Sequence, residues 1–448
     1  MGYNFVTADR DQVFLLPPDM RDWLPEDHLV WLVLDAVGQF DLEPFRVAYR
    51  ADGHGRPAMD PAWMLALLLY GYAVGERSSR RIERRCADDV AFRVICGGRV
   101  PDHATIARFR VRHEAALKEV FSQVLRLLAA AGLVRLGRVA LDGTKIAADA
   151  SWSANKTLTQ VEEMLAEAAA ADAAEDAEFA DRRGDEPPPG LARRGDRLAR
   201  LAEVRDRLAA DAAAARAAQD AKTAAWQARV AAGNPRPGRR PNPQPKLTTG
   251  GGKPPRGNVT DPHARTMKSK HTLLVGYNAQ AVVTDDQIIV GALLTGAPTD
   301  QNLLHPTLDA CRAQLQAAGI DPALHTVLAD AGYANEDTFT RAHAQHLRLL
   351  SPLAKDTREL RAGADPAGGR DLHRHPATAA AQQQLADPDG RADYAHRGRT
   401  VEPVFGQIKT CQRFTRFSRR GHTACDSEWH LAAATHNLRK LHRHRPAP

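Results

Sequence analysis

The chain has 448 residues, 43% of them hydrophobic and 26% charged, and its formal net charge is +7 at pH 7. This composition is ordinary for a soluble protein, and the length suffices for two or three domains with cores of their own. The longest apolar stretch, Trp63 to Val74, is too short to span a bilayer, and no signal-type apolar core opens the chain. The five cysteines form no CxxC pair, which argues for a reducing compartment without a disulfide framework. We therefore expect a cytoplasmic protein that does not insert into a membrane.

Residues 1–132 are predicted to form an all-α N-terminal domain. Asp60 and Pro61 have the character of an N-cap and a first helical residue. The run from Pro61 to Tyr72 is apolar nearly all round, which is typical of the central helix of a small bundle.

Two further segments of this domain predict helices with arginine-bearing faces. Arg80 and Arg81 lie in the first segment and Arg108 in the second, where we expect Phe109 to face the core and Arg110 to face outwards. Arginine-bearing helices in a small bundle can enter a DNA groove, as in helix-turn-helix modules, so Arg80, Arg81 and Arg108 are DNA-binding candidates. A solvated helix face is the alternative interpretation.

The Ala-rich residues 160–232 predict a long helical hairpin. They include almost no aromatic side chains, and Leu201, Val204 and Leu208 recur at helical spacing. A Pro-rich run at 186–190 marks the expected break between the two helices.

The hairpin and the Pro/Gly/basic linker that follows it occupy residues 150–265, which we interpret as an insertion. The interrupted domain would span residues 133–420, and a basic C-terminal helix and tail would occupy 421–448. A true interdomain linker is the alternative, and it would assign the strand at 138–148 to the N-terminal unit.

The elements outside the insertion predict a mixed α/β sheet with helices packed on it. In chain order they are a strand at 138–148, a hairpin at 271–294 turning at Asp285–Asp286, a helix at 300–318, a strand at 325–330, a helix after the N-cap Asn335, a strand at 347–352, and a helix from Thr400.

Three carboxylates stand where these elements end or begin. Asp142 and Asp330 each come at the end of an apolar strand and precede a glycine, and Glu402 opens the last predicted helix. Hard cations such as Mg²⁺ prefer carboxylate oxygens, and two ions about 4 Å apart can activate a water or a 3′-hydroxyl against a phosphodiester. We predict that the three residues meet and hold metal ions as a catalytic triad.

The Glu402 helix is predicted to have two useful faces. Val401, Val404, Phe405 and Ile408 form a buried stripe, with Thr400 as N-cap and Pro403 tolerated in the first turn. An adjacent stripe carries Glu402, Gly406, Lys409 and Arg413. Lys409 and Arg413 are therefore candidates for DNA phosphate contact beside the carboxylate, with solvated helix charge as the alternative.

Positive charge is concentrated in the same region. Residues 396–445 hold eleven Lys and Arg residues against three acidic ones, a local charge of +8, so the remaining residues sum to −1. A cluster of this kind suits a polyanion such as nucleic acid. A solubilising tail is the alternative.

Several motifs resemble those of DDE transposases of bacterial insertion sequences, most closely the IS1182-type group of the IS4/IS5-like superfamily. The resemblance extends over nearly the whole length of the chain, and it includes Leu141–Ile146, Gly276–Gln280, Leu328–Tyr333, Val401–Lys409 and His436–Leu438.

The resemblance implies an RNase H-like core and Mg²⁺-dependent DNA cleavage and joining, with Mn²⁺ as a substitute. Tyr394, Arg397, Glu402 and Lys409 are similar to a signature of these enzymes, although the spacing from Arg397 to Glu402 is one residue longer than in its commonest form. Tyr394 and Arg397 thereby become DNA-contact candidates. The implied partners are terminal inverted repeats and target DNA, bound by a nucleoid-associated homodimer.

Two other functions fit the same residues. A nuclease on the same core would cut without joining, and an inactive relative would bind DNA only. Other polar residues receive structural interpretations: Asp149, Asp300 and Asp337 as caps or surface acids, and Asn278 and Gln280 as sheet-packing residues.

Overall fold

The structure is a computed structural model that describes most of the chain. The described residues are 19–49, 58–179, 189–233, 239–242, 254–269, 272–353, 365, 367 and 372–444, without the side chains of 171–179 and 189–195. Residues 1–18, most of the predicted break at 186–190, much of the linker at 233–257 and the last four residues lie outside the described residues.

The sheet combines antiparallel and parallel strands, which confirms the mixed α/β class. Its six strands follow the order β4-β5-β1-β7-β8, with β6 paired to β5 beside β4. They are β1 (Arg138–Ala147), β4 (Arg265–Lys268), β5 (Leu273–Thr284), β6 (Ile289–Thr295), β7 (Thr326–Leu328) and β8 (Arg348–Leu350), and a separate pair joins β2 (Asn155–Lys156) to β3 (Gly257–Asn258).

Strand β1 is the central strand and is paired on both sides. It runs antiparallel to β5 and parallel to β7, and β7 runs parallel to β8. The predicted hairpin is present as β5 and β6, and its tip residue Gln287 has a positive φ of 63°. Because apolar side chains bury β1 on both faces, this strand is a rigid support for the residues along it.

The N-terminal region is helical throughout the described residues 19–49 and 58–132, as predicted. Its helices are α1 (Leu29–Gly38), α2 (Glu43–Arg46), α3 (Pro61–Ala73), α4 (Ser79–Asp88), α5 (Val90–Ile95), α6 (His103–Arg112) and α7 (Glu114–Ala130). The Asp60 carboxylate caps α3 by accepting a hydrogen bond from the Ala62 N–H at 2.8 Å, and every residue from Met64 to Ala73 is buried.

The insertion contains the predicted pair of long helices, α8 (Leu158–Phe179) and α9 (Pro189–Ala231). Val161, Leu201, Val204 and Leu208 form a small buried cluster between them, separate from the main core. The short β2–β3 pair closes the base of the insertion, and Arg265 of β4 forms an ion pair with Asp211 of α9.

Seven further helices lie within the described residues from 304 to 444. They are α10 (Leu304–Ala317), α11 (Glu336–Ala344), α12 (Pro376–Ala386), α13 (Pro388–Ala395), α14 (Arg397–Thr400), α15 (Glu402–Thr410) and α16 (His422–His444). Helix α10 begins four residues later than predicted, and the sequence did not predict α12 or α13, whose Ala- and Gly-rich sequence has weak periodicity.

Helix α16 is the main contact between the N-terminal helices and the sheet. It packs on α7, α3 and β6, and its residues from Ala424 to Leu438 are buried. One hydrophobic core therefore runs from the N-terminal helices through α16 to the sheet. The boundaries at residues 132 and 420 stay predictions.

Candidate active site

Asp142 and Asp330 are neighbours on adjacent parallel strands. The register pairs Ala140 of β1 with Leu328 of β7, and each aspartate follows its paired residue by two positions. The Asp142 carboxylate accepts a hydrogen bond from the Gly143 N–H at 2.7 Å, and the Asp330 carboxylate accepts one from the Gly332 N–H at 2.8 Å. Local backbone donors thus fix both carboxylates at one edge of the sheet.

Glu402 is the first residue of α15, and a single guanidinium connects it to both aspartates. Arg397 donates from Nη2 to Asp142 Oδ2 at 2.6 Å, and the same nitrogen lies 4.0 Å from Asp330 Oδ2. Arg397 Nη1 lies 3.6 Å from Glu402 Oε1. The three carboxylates that the sequence singles out therefore meet around one buried arginine.

The three carboxylates differ in exposure. The side chain of Asp142 is 17% exposed, that of Asp330 39% and that of Glu402 64%. Burial raises the pKa of Asp142 to about 6, the charge of Arg397 opposes this rise, and the charge of Asp330 adds to it. The Asp142 carboxylate therefore lies partly buried in the middle of β1, whereas Glu402 lies exposed at the start of α15.

The beginning of α15 differs from the prediction. Thr400 is not its N-cap: Val401 holds that position in a helical conformation without a side-chain cap, and α14 ends directly before it. The Thr400 hydroxyl instead donates to the carbonyl of His396 at 2.7 Å. The predicted buried stripe is confirmed, since Val401, Val404, Phe405 and Ile408 are all buried.

Lys409 and Arg413 do not share the stripe that the sequence predicts. Lys409 donates to the hydroxyl of Thr144, two residues beyond Asp142 on β1, at 2.5 Å. Helix α15 ends at Thr410, and Arg413 has a positive φ of 51° in the following loop. The helical placement of Arg413 was therefore wrong, because the chain turns before the stripe reaches it.

Tyr394 lies near the end of α13, three residues before Arg397, which joins the carboxylates. Its side chain is buried, and its hydroxyl has no hydrogen-bond partner among the described residues. Burial raises the pKa of Tyr394 to about 12, so the phenol remains protonated and can donate.

The arginines of the N-terminal region divide into exposed and buried residues. Arg80, Arg81 and Arg108 are exposed, as a DNA contact requires. Arg110 was predicted to face outwards, which was wrong: it is 6% exposed and donates to the carbonyl of Arg77 at 2.6 Å. Its guanidinium also lies over the ring of Tyr72, a contact that helical periodicity does not reveal.

A polar network that the sequence did not predict lies beside the triad. Asp300 Oδ1 accepts hydrogen bonds from Lys145 Nζ at 2.9 Å, Asn278 Nδ2 at 2.8 Å and Gln280 Nε2 at 3.0 Å. Tyr333, three residues after Asp330, donates to Gln280. The network therefore supports the turn that carries Asp330. Alternation along β1 and β5 was the available signal, because Gly143 pairs with Gln280 and Lys145 with Asn278.

The donor set of the triad fits a divalent cation by its chemistry. Carboxylate oxygens are the ligands that Mg²⁺ prefers, and the positive charge of Arg397 already lies among the three of them. Within the described part of the chain, no three His, Cys, Asp or Glu side chains are grouped closely enough to hold one metal ion. Asp142, Asp330 and Glu402 converge on Arg397, not on a common point of their own.

Comparisons with known proteins identify domains at both ends of the chain. The model of a Transposase domain (DUF772) matches residues 18–112, which include Arg80, Arg81 and Arg108. The model of a Transposase DDE domain matches residues 369–442, which include Glu402. No curated protein and no solved structure matches the chain significantly. No described helix is long and apolar enough to cross a membrane. The two matched domains support a DNA transposase in general, and they are consistent with a DDE transposase of the IS1182 type.

Proposed function

We propose that this transposase binds the ends of its insertion sequence, cleaves DNA there and joins the freed 3′-hydroxyl to target DNA. One observation carries the proposal: Asp142, Asp330 and Glu402, from three separate elements, converge on Arg397. The matched DDE domain contains Glu402, whereas Asp142 and Asp330 lie outside both matched ranges. Their assignment to the triad rests on strand register and on the contacts of Arg397.

The sheet supports an RNase H-like core for this chemistry. In the order β6-β5-β1-β7-β8, β5 runs antiparallel to both of its neighbours, β6 and β1, and β7 and β8 run parallel to β1. The first two acids lie on the central strand and just beyond its parallel neighbour. A carboxylate on a strand buried on both faces is well positioned for catalysis.

Asp142, Asp330 and Glu402 are the residues that would hold Mg²⁺, or Mn²⁺ in its place. A divalent cation bound there supplies Lewis-acid activation of the attacking oxygen and stabilises the leaving oxygen. Asp142 and Asp330 provide fixed oxygens, since backbone N–H groups orient both. Glu402 is largely exposed at a helix start, so its side chain can adjust when DNA arrives.

Cationic and phenolic groups around the triad suit the phosphate backbone. Lys409 lies beside Thr144 on the same strand as Asp142, and the protonated hydroxyl of Tyr394 has no competing partner among the described residues. Arg397 offsets part of the negative charge and can turn towards a phosphate. Arg413 is 69% exposed beyond the end of α15.

Arg80, Arg81 and Arg108 of the N-terminal helices extend the proposed DNA contact. They are exposed and fall within the matched N-terminal transposase domain. We propose that a homodimer pairs two element ends at the bacterial nucleoid, in the cytoplasm, as the resemblance implies.

A cleavage and joining assay tests the proposal. The substrate is duplex DNA carrying the sequences that flank the gene, incubated with Mg²⁺ and a supercoiled target plasmid. Asp142→Asn, Asp330→Asn and Glu402→Gln should each abolish cleavage, whereas Asp337→Asn, which alters an exposed acid of α11, should not. Cleavage that survives the three triad substitutions would contradict the assignment.

The products of the same assay separate the alternatives. Joined molecules support a transposase that completes strand transfer. Cutting without joined products, at sites unrelated to the flanking sequence, would identify a nuclease. DNA binding without any metal-dependent cleavage by the wild-type protein would identify an inactive relative.

A further inference from the structure

Two exposed arginines from opposite ends of the chain lie beside one buried carboxylate. Arg81 Nη1 of α4 is 3.7 Å from Glu76 Oε1, and Arg413 Nη1 is 4.0 Å from the same oxygen. The arginine side chains are 62% and 69% exposed, whereas that of Glu76 is 7% exposed. The matched N-terminal domain and the matched DDE domain each contribute one of these cations.

The distances leave both guanidinium groups available to a ligand. Hydrogen bonds between charged groups are about 2.7–2.9 Å long, so contacts of 3.7 Å and 4.0 Å hold the arginines near Glu76 without using their donors fully. The other oxygen of Glu76, Oε2, is buried and has no hydrogen-bond partner among the described residues. Two cations against one carboxylate leave this cluster with a net positive charge.

Arg77 stabilises the loop that carries Arg413. Arg77 donates to the carbonyl of Arg413 at 3.0 Å and to that of Arg416 at 2.7 Å, and its guanidinium lies 4.6 Å from the centroid of the Phe414 ring. Gly75 has a φ of +82°, and a Cβ there would lie 3.2 Å from the Cγ and Cδ of Arg413. These contacts hold the backbone of Arg413 in place, and Arg81 lies within helix α4.

The cluster lies beyond the end of the helix that starts at Glu402. Helix α15 spans nine residues, a length of roughly 13 Å. Measured along the axis of a DNA duplex, this length corresponds to about four phosphates of one strand. Lys409 contacts β1 along this helix, and Arg413 follows its C-terminus. A DNA strand that leaves the carboxylates along α15 would reach Arg413 and Arg81 next.

We propose that Arg81 and Arg413, held side by side by Glu76, form a composite site for one DNA backbone phosphate. This inference rests on the proposed DNA binding and specifies how the two matched domains share a single strand. Two guanidinium groups can donate several hydrogen bonds to one phosphate. The shared phosphate would fix the N-terminal helices relative to the catalytic edge of the sheet.

The test measures how binding of a fluorescein-labelled, mixed-sequence DNA duplex depends on salt. Phosphate contacts are independent of sequence, so the duplex need not contain the element ends. Each phosphate contact contributes about 0.9 to the slope of log K against log salt. Arg81→Ala, Arg413→Ala and the double variant are compared with the wild type and with Arg341→Ala, an exposed arginine of α11 that also pairs with an acid.

A shared phosphate predicts effects that do not add. Each single variant should bind roughly tenfold more weakly, and the double variant should bind only slightly more weakly than either. The slope should fall by about 0.9 in the double variant, and Arg341→Ala should match the wild type. Thermal unfolding of each variant checks that the fold is unchanged, as expected for exposed side chains.

Three outcomes would overturn the inference. A slope reduction of about 1.8 in the double variant would place the arginines on separate phosphates. If the single variants bind DNA like the wild type, the proposed phosphate site is wrong, but the proposed function is not affected. A wild-type protein without salt-dependent DNA affinity would overturn both proposals.

Discussion

Two aspartates with little exposure, Asp142 on β1 and Asp426 on α16, have opposite electrostatic surroundings. Burial raises the pKa of Asp142 to about 6, although Arg397 opposes the rise. Burial also acts to raise the pKa of Asp426, but hydrogen bonds and charge from His430 and Lys118 outweigh it and hold that pKa at about 2. Lys118 Nζ lies 2.8 Å and His430 Nδ1 lies 3.3 Å from the Asp426 carboxylate.

The two pKa values differ because the number of carboxylates that share each cation differs. Asp426 has its own lysine and histidine, and this cluster ties α7 to α16. Asp142 shares one guanidinium with Asp330 and Glu402, so the edge of the sheet retains a net negative charge. Uncompensated charge lowers stability and is typical of sites that bind a cation or perform chemistry.

Asp142→Asn should give the largest effect, and it should change activity and stability in opposite directions. DNA cleavage should fall by about 10³-fold or more, since several kcal/mol of transition-state stabilisation are lost. The free energy of unfolding at pH 7 should rise by about 1 kcal/mol, because an unfavourably buried charge is removed.

The contribution of Asp142 to the free energy of unfolding should change with pH in one direction. The folded pKa of Asp142 lies above its unfolded value, so its stabilising contribution is complete below about pH 4 and is lost as the pH rises through about 6. The wild type should therefore lose stability relative to Asp142→Asn between these pH values. Urea unfolding in EDTA at a series of pH values measures this difference in stability. If Asp142→Asn is less stable than the wild type at pH 7, the burial of an unfavourable charge at Asp142 is contradicted.

Arg397→Ala should destabilise the metal-free protein by about 3 kcal/mol, because it leaves a buried carboxylate without its cation. Arg397→Lys keeps the positive charge, so this variant should lose less stability than Arg397→Ala. Arg341→Ala is the matched control, since its ion pair with Asp309 is exposed and should contribute less than about 1 kcal/mol. Urea unfolding of the three variants provides the comparison, and equal losses for Arg397→Ala and Arg341→Ala would remove the central role of Arg397.

Asp426→Asn should destabilise the protein by about 2 kcal/mol at pH 7 and leave cleavage unchanged. The folded pKa of Asp426 lies below its unfolded value, so its contribution is present above about pH 4 and is lost as the pH falls through about 2. Denaturant unfolding at pH 7 and at acid pH measures the difference. A loss of cleavage at full stability would show that this region belongs to the active site.

Lys409→Ala should give the smallest effect, a loss of about 1 kcal/mol in DNA affinity. Metal binding should persist, because Lys409 is a cation and cannot itself ligate a metal ion. Thr144→Val is the control that removes the hydroxyl but keeps the charge. Fluorescence anisotropy with DNA and calorimetry with Mn²⁺ separate the two functions, and equal losses in both would contradict this division.

Local sequence signals predicted most elements and the three acids of the site. Asp60 caps α3, Asn335 caps α11 through the Thr338 N–H, and the hairpin turns where the acidic pair predicted. These signals act within a few residues, so composition and spacing suffice to read them. The same reasoning was wrong at Thr400 and Arg413. Contacts with distant elements determine the conformation there, since Arg397 of α14 donates to Asp142 and Arg77 donates to the carbonyl of Arg413.

The sequence by itself determined the mixed α/β class, the helical hairpin and the candidate triad, since apolar periodicity and capping residues encode them locally. Only the tertiary structure decided which cation the acids share, because Arg397 and Asp142 are 255 residues apart. It also decided the network around Asp300 and the meeting of Arg81 with Arg413 at Glu76. Such contacts depend on strand register and helix packing, and a charged residue gives no local sign of its distant partner.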